Sequence, residues 1–142
     1  MSTLETEKGK KVFLGETAGQ ANVLVLDDDP ALRELFSIMI ERIGCKANLF
    51  SSSAQAIKAY ESAGTNTPVF DCALIDLNID EQLDGVAVAR ILREINPFVR
   101  LVLVSGSINP KALEAHLGLG FDAVIPKPFS LKQLREAVMP QN

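Results

Sequence analysis

Four short stretches of the chain end apolar runs in side chains that can do chemistry. "VLVLDDDP" places Asp27, Asp28 and Asp29 after Val23 to Leu26, "ALID" ends in Asp76, "LVLVSG" reaches Ser105, and "IPKPF" holds Lys127. Taken singly, each has a bland explanation: Asp76 as a turn former, Ser105 as a turn hydroxyl, Lys127 as a solvated surface lysine. Taken together, Asp27, Asp28 and Asp76 with a hydroxyl and an ammonium make a hard oxygen site. Such a site suits Mg²⁺ and offers donors for a phosphoryl group. A carboxylate close to that metal can attack phosphorus and form an acyl phosphate, while Lys127 and Ser105 compensate charge on the phosphoryl oxygens.

The three consecutive acids divide by job. Asp29 followed by Pro30 is a good N-cap and first-turn pair, favoured by the helix dipole. One cap needs one acid. Asp27 and Asp28 are left as adjacent like charges that repel in a partly dry site, a conflict that a divalent cation resolves.

The elements that must position these groups alternate apolar strand-like runs with amphipathic segments, the pattern of βαβ units and a mostly parallel sheet. Strands are expected over Asn22 to Leu26, Cys45 to Phe50, Phe70 to Ile75, Val99 to Val104 and Ala123 to Ile125. Lys46 and Asn48 mark the second as an edge strand, and the unbroken fourth run suits a strand covered on both faces. Between them lie five helices. The first runs from Pro30 with Leu32, Leu35, Phe36, Met39, Ile40 and Ile43 at helical spacing and Gly44 at its end. Ser51 to Ser53 offer N-caps for the second, which turns Ala56, Ile57 and Tyr60 inward. The third spans about Val86 to Ile95, Asn109 and Pro110 open the fourth, and Ser130 caps the last. In open α/β sheets ligands bind beyond the carboxyl ends of the strands, where Asp27, Asp28, Asp76, Ser105 and Lys127 all converge.

A chain of 142 residues is the size of one domain. Residues 1–20 read as a polar, flexible N-terminal extension and 21–142 as the folded unit. A net charge of −4 argues against nonspecific contact with nucleic acid or anionic lipid. No apolar run reaches the length of a membrane helix, and the Val12 to Leu14 run is too short for a secretory signal, so the expected location is cytoplasmic. Cys45 and Cys72 fit no metal spacing and read as buried free thiols, with one disulfide as the alternative. His116 stands alone on its helix and is given no catalytic role, and Phe121 and Phe129 read as core or loop anchors.

At these residues the chain resembles the receiver domain of two-component response regulators, over about residues 22–139. The likeness rests on "VLVLDDDP", "ALIDLNI", "LVLVSG" and "IPKPF", in order. It implies a flavodoxin-like sheet of order 2-1-3-4-5 with helices on both faces, and a regulatory phosphoacceptor rather than a conventional enzyme. By resemblance, Asp76 receives phosphate from a sensor histidine kinase or a histidine phosphotransfer protein. Asp28 is a direct Mg²⁺ ligand, Asp27 a water-mediated one, and the Asn78 backbone carbonyl completes the set. Ser105 and Lys127 bind the phosphoryl oxygens, and the Lys127–Pro128 bond is cis. The output is contact with a downstream protein, through the face of the fourth helix, fifth strand and fifth helix. With so few residues after 139, no DNA-binding domain is expected.

Two departures from the family pattern stand out. Ile79 is followed by Asp80 where the family usually has Met-Pro, and Gly85 comes nine residues after Asp76 instead of eight. The loop is one residue longer and gains Asp80, Glu81 and Asp84. Val124 occupies the place of a usual Tyr or Phe, so the aromatic rotation of the family's switch is unavailable. Any signal is then expected to pass through the loop after Ser105 and the following helix, or to be weak. Two rivals remain: a receiver-like binding module that is not phosphorylated, and a haloacid-dehalogenase-type phosphatase, for which Asp27 to Asp29 hold the Asp-x-Asp pattern but no Asp follows Lys127.

Overall fold

The apolar runs become the strands of one parallel sheet in the computed structural model, which describes residues 4–5, 11–12, 20–65, 69–77, 85–106, 115, 118 and 120–139. Near the start of the chain β1 (Leu4–Glu5) pairs antiparallel with β2 (Lys11–Val12), forming a two-stranded ladder. The main sheet holds β3 (Asn22–Leu26), β4 (Lys46–Phe50), β5 (Cys72–Asp76), β6 (Arg100–Ser105) and β7 (Ala123–Pro126). Their spatial order is β4-β3-β5-β6-β7, which is 2-1-3-4-5 counted within the sheet, and every pairing is parallel.

Period-two alternation sends each strand's side chains to both faces. Val23, Val25, Leu74, Val102 and Val104 pack with Phe36 and Ile40 of α1 (Pro30–Arg42) and Leu134 of α4 (Leu131–Val138). Leu24, Leu26, Ile75, Leu101 and Leu103 pack with Tyr60 of α2 (Ser53–Glu61) and with Val88 and Leu92 of α3 (Gly85–Ile95). Each such fully buried aliphatic side chain contributes about 1.5–3 kcal/mol. Both faces covered is the reason β3, β5 and β6 read as unbroken apolar runs. The edge strand β4, by contrast, exposes Lys46 and Leu49.

The helix ends follow local chemistry. Asp29 caps α1, its side chain accepting from the amides of Ala31 and Leu32, with Pro30 at the first position. Gly44, at φ +90°, lets the chain turn out of α1 into β4. Ser52 caps α2, and Ser130 and Gln133 form a reciprocal capping box on α4. The helix expected from Asn109 lies outside the described residues except for Ala115 and Gly118. Cys45 and Cys72 are buried free thiols, and burial pushes Cys72 up to about 12. Among the described residues, no helix is long and apolar enough to cross a membrane.

Candidate functional site

Sheet register brings the acids together. Leu26 is the partner of Ile75, so the next residues, Asp27 and Asp76, emerge level with each other from adjacent strands. Carboxylate oxygens of Asp27, Asp28 and Asp76 lie within 4.8 Å of one another. Asp27 and Asp76 are buried, whereas Asp28 is exposed. Across from them the Lys127 ammonium donates to Asp76 Oδ1 at 3.1 Å and lies 3.5 Å from Asp27 Oδ2. The Lys127 amide donates to the Ser105 carbonyl at 2.9 Å, and the Lys127–Pro128 bond is cis, as the resemblance implied. Ser105, the last residue of β6, is buried at the same sheet edge.

The charges are unequally served. Asp27 Oδ1 accepts from the Asp29 amide at 2.9 Å, but Oδ2 is buried with no hydrogen-bond partner among the described residues. Burial pushes the Asp27 carboxyl above its ordinary range, and the Asp76 charge adds to this, while the Asp29 amide and Lys127 work against it. For Lys127 burial pulls downward, yet the hydrogen bond to Asp76 and the two carboxylate charges outweigh it, so its ammonium is held above the usual lysine range. A buried carboxylate oxygen that has an ion pair with Lys127 but no hydrogen bond, beside two more carboxylates, fits the donor set of a hard divalent cation.

Every expected site residue within the described part arrives at this edge: Asp27, Asp28, Asp76, Ser105 and Lys127. Asn78 and the extra acids Asp80, Glu81 and Asp84 lie outside the described residues, as does His116. Asp29 spends its side chain on the α1 cap, which removes the second acid from the phosphatase-type pattern. Val124 is half-buried and packs against the α2 and α3 side of the core.

Three supporting contacts, made by Arg33, by Phe36 with Phe129 and by Gly85, could not be read from the sequence. Arg33 Nη1 donates to the Asp27 carbonyl at 2.8 Å. Phe36 stacks on Phe129, ring centroids 4.9 Å apart, tying the segment after Lys127 to α1. A Cβ on Gly85 would lie 2.7 Å from the Asp76 carbonyl oxygen, so α3 begins in direct contact with the backbone of the acid. The glycine displaced by one position in sequence still occupies that close approach.

Acids at the opposite sheet edge behave differently. Asp71 accepts from the Asn22 amide at 2.8 Å, and Asp122 accepts from the Leu101 amide at 2.8 Å and from Arg93 at 3.1 Å. At the amino ends of strands, carboxylates find amides to accept from. At the carboxyl ends Asp27 and Asp76 lie beside each other and share the Lys127 ammonium.

The pattern of the response regulator receiver domain matches residues 23–139. The chain is 31% identical over 135 residues to the sensor kinase CckA of Brucella abortus, covering 92% of this chain and 14% of the kinase. It is 28% identical over 112 residues to the DNA-binding response regulator MtrA of Mycolicibacterium smegmatis, covering 79% of this chain and 46% of that protein. It thus spans less than half the length of either. A solved response regulator receiver protein from Sinorhizobium medicae is 29% identical, with a TM-score of 0.72 over 84% of this chain and 92% of that one. Because the family match runs unbroken from the first strand of the parallel sheet to the end of the last helix, the chain belongs to the response regulator receiver domain family of two-component signalling.

Proposed function

We propose that the protein is a phosphoacceptor in a two-component system or phosphorelay. A sensor histidine kinase or histidine phosphotransfer protein delivers the phosphoryl group to Asp76, and the product alters contacts with a downstream protein. One observation carries this reading: the buried Asp76 carboxylate rests on the Lys127 ammonium at 3.1 Å, with carboxylate oxygens of Asp27 and Asp28 within 4.8 Å.

A carboxylate oxygen of Asp76 forms the bond to phosphorus as the N–P bond to the donor imidazole breaks, and the imidazole takes up a proton. Asp27, Asp28 and Asp76, with the Asn78 carbonyl, are the residues that would hold Mg²⁺. When bound there it neutralises charge on the phosphoryl oxygens. Lys127 already donates to the Asp76 carboxylate, and Ser105 ends the neighbouring strand as a hydroxyl donor. Water attack on the acyl phosphate returns the Asp76 carboxylate and inorganic phosphate. A cytoplasmic location belongs to the same proposal.

Incubation with acetyl phosphate and Mg²⁺, followed by intact-protein mass measurement, tests the reading. The expected result is one phosphoryl adduct, labile to hydroxylamine, present in wild type and missing from Asp76→Asn. An adduct that persists in Asp76→Asn would overturn the assignment, and no adduct on wild type would favour a receiver that works without phosphorylation.

A further inference from the structure

Asp28 is the exposed member of the acidic cluster, yet its backbone is clamped on both sides. The peptide before it carries the Asp27 carbonyl, which accepts from Arg33 Nη1 at 2.8 Å. The peptide after it carries the Asp29 amide, which donates to Asp27 Oδ1 at 2.9 Å. One step further back, the Asp27 amide donates to the Phe50 carbonyl at 3.1 Å. The first two bonds hold the two peptide planes that decide where the Asp28 Cβ points, and the third anchors the peptide before them. The Asp27 clamp is supplied by an acid that belongs to the site. The Arg33 clamp comes from α1, whose first turn is locked by Asp29 through its side chain and through the Arg33 amide, 3.0 Å from the Asp29 carbonyl.

We propose that Arg33 is a positioning residue for the divalent-cation site: by holding the Asp27 carbonyl it fixes the Asp27–Asp28 peptide and thereby aims the Asp28 carboxylate at the cation. The inference rests on the reading of Asp27, Asp28 and Asp76 as a Mg²⁺ site. Its physical basis is twofold. The Asp27 carbonyl lies beyond the β3 ladder and needs a donor to replace water. A guanidinium supplies that donor from a planar, pre-organised fork, so little freedom remains to the peptide it holds. Losing a group that orients a metal ligand typically weakens metal binding by about 10- to 100-fold.

The test is calorimetric titration of Mg²⁺ into the full chain, for wild type, Arg33→Ala, Arg33→Lys and Asp28→Asn, with thermal unfolding in EDTA to monitor folding. Arg33→Ala is expected to weaken Mg²⁺ binding by about 10- to 100-fold, the usual loss for an orienting partner. Arg33→Lys, which keeps a cationic donor without the fork, is expected to fall between Arg33→Ala and wild type. In metal-free protein, hydrogen exchange of the Asp29 amide is expected to speed up in Arg33→Ala and to be partly restored in Arg33→Lys. An Arg33→Ala that binds Mg²⁺ within threefold of wild type, while Asp28→Asn does not, would overturn the inference alone. A wild type that binds no Mg²⁺ would overturn the metal-site reading together with it. If Arg33→Ala fails to fold, Arg33→Lys with wild-type affinity and wild-type Asp29 exchange overturns the role of the fork.

Discussion

The Lys127 ammonium lies 3.1 Å from Asp76 Oδ1, joining residues 51 positions apart in sequence, and it also stands 3.5 Å from Asp27 Oδ2. One partly exposed cation therefore compensates two buried carboxylates. Removing it leaves both acids without their partner. Lys127→Met is expected to cost about 1–3 kcal/mol of metal-free stability, less than for a fully buried pair because water reaches the lysine. Mg²⁺ is expected to restore part of that loss, since a cation that binds only the folded state stabilises it. Urea unfolding in EDTA and in Mg²⁺ measures both effects.

Asp27 carries a pH signature. Its folded-state pKa is raised, chiefly by burial, so the folded protein holds this proton more tightly than the unfolded chain does. The contribution to stability is fully present below the ordinary value of 3.8 and is lost as pH rises through the folded-state value. At neutral pH the ionised carboxylate opposes folding. Asp27→Asn, which keeps an acceptor for the Asp29 amide, is expected to raise the thermal midpoint of metal-free protein at neutral pH. That gain shrinks on acidification toward 3.8. A series of thermal unfolding curves in EDTA across acid and neutral pH reads the trend, and a midpoint lowered at neutral pH would contradict it.

Gly85→Ala probes how closely α3 approaches the acid. The added methyl would meet the Asp76 carbonyl oxygen at 2.7 Å and the Leu77 Cα at 3.1 Å, both of them backbone atoms that cannot swing aside. Helix propensity alone favours alanine by about 0.8–1 kcal/mol. Overpacking against backbone costs about 1–3 kcal/mol, and it is expected to win. Equilibrium denaturation should show a net loss of stability, and acetyl phosphate should label the variant more slowly because the Asp76 backbone has moved.

The Phe36–Phe129 stack links α1 to the segment that follows Lys127. Phe36 is fully buried, and Phe36→Ala is expected to cost about 3–5 kcal/mol. Phe129→Ala, from a half-buried position, is expected to cost less. It should nevertheless slow phosphorylation by loosening the Lys127 loop, an effect that Phe36→Leu, which keeps an apolar contact, should show only weakly. Denaturation curves and phosphorylation time courses, run on the same three variants, separate packing from lysine placement.

The elements were legible because each depends on neighbours in sequence. Continuous apolar runs marked β3, β5 and β6, interrupted apolarity marked the edge strand β4, and Asp29, the Ser51 to Ser53 run and Ser130 marked helix starts that the structure confirms, with Ser52 as the cap of the second. Boundaries moved by a residue where the ladder continues: Asp76 and Ser105 end their strands instead of following them. The site residues were legible by type, since a row of acids ending apolar strands has few structural excuses.

Strand ends placed Asp27, Asp28 and Asp76 at one sheet edge; what sequence could not say is how closely their carboxylates approach. Asp71 and Asp122 look no different from Asp76 in the one-letter string, yet they meet strand amides at the opposite edge. Only the parallel register of β3 on β5 sets Asp27 level with Asp76, and only the β6–β7 pairing delivers Lys127 between them. Arg33 and Gly85 likewise gain their roles from an approach to backbone atoms, which leaves no mark on side-chain periodicity. Local patterns arise from contacts within a few residues, so the sequence by itself determined the strands, the caps and the chemical types of the site. Charge pairing and close packing arise between residues dozens of positions apart, so tertiary structure alone decided the distances and partners through which those groups meet.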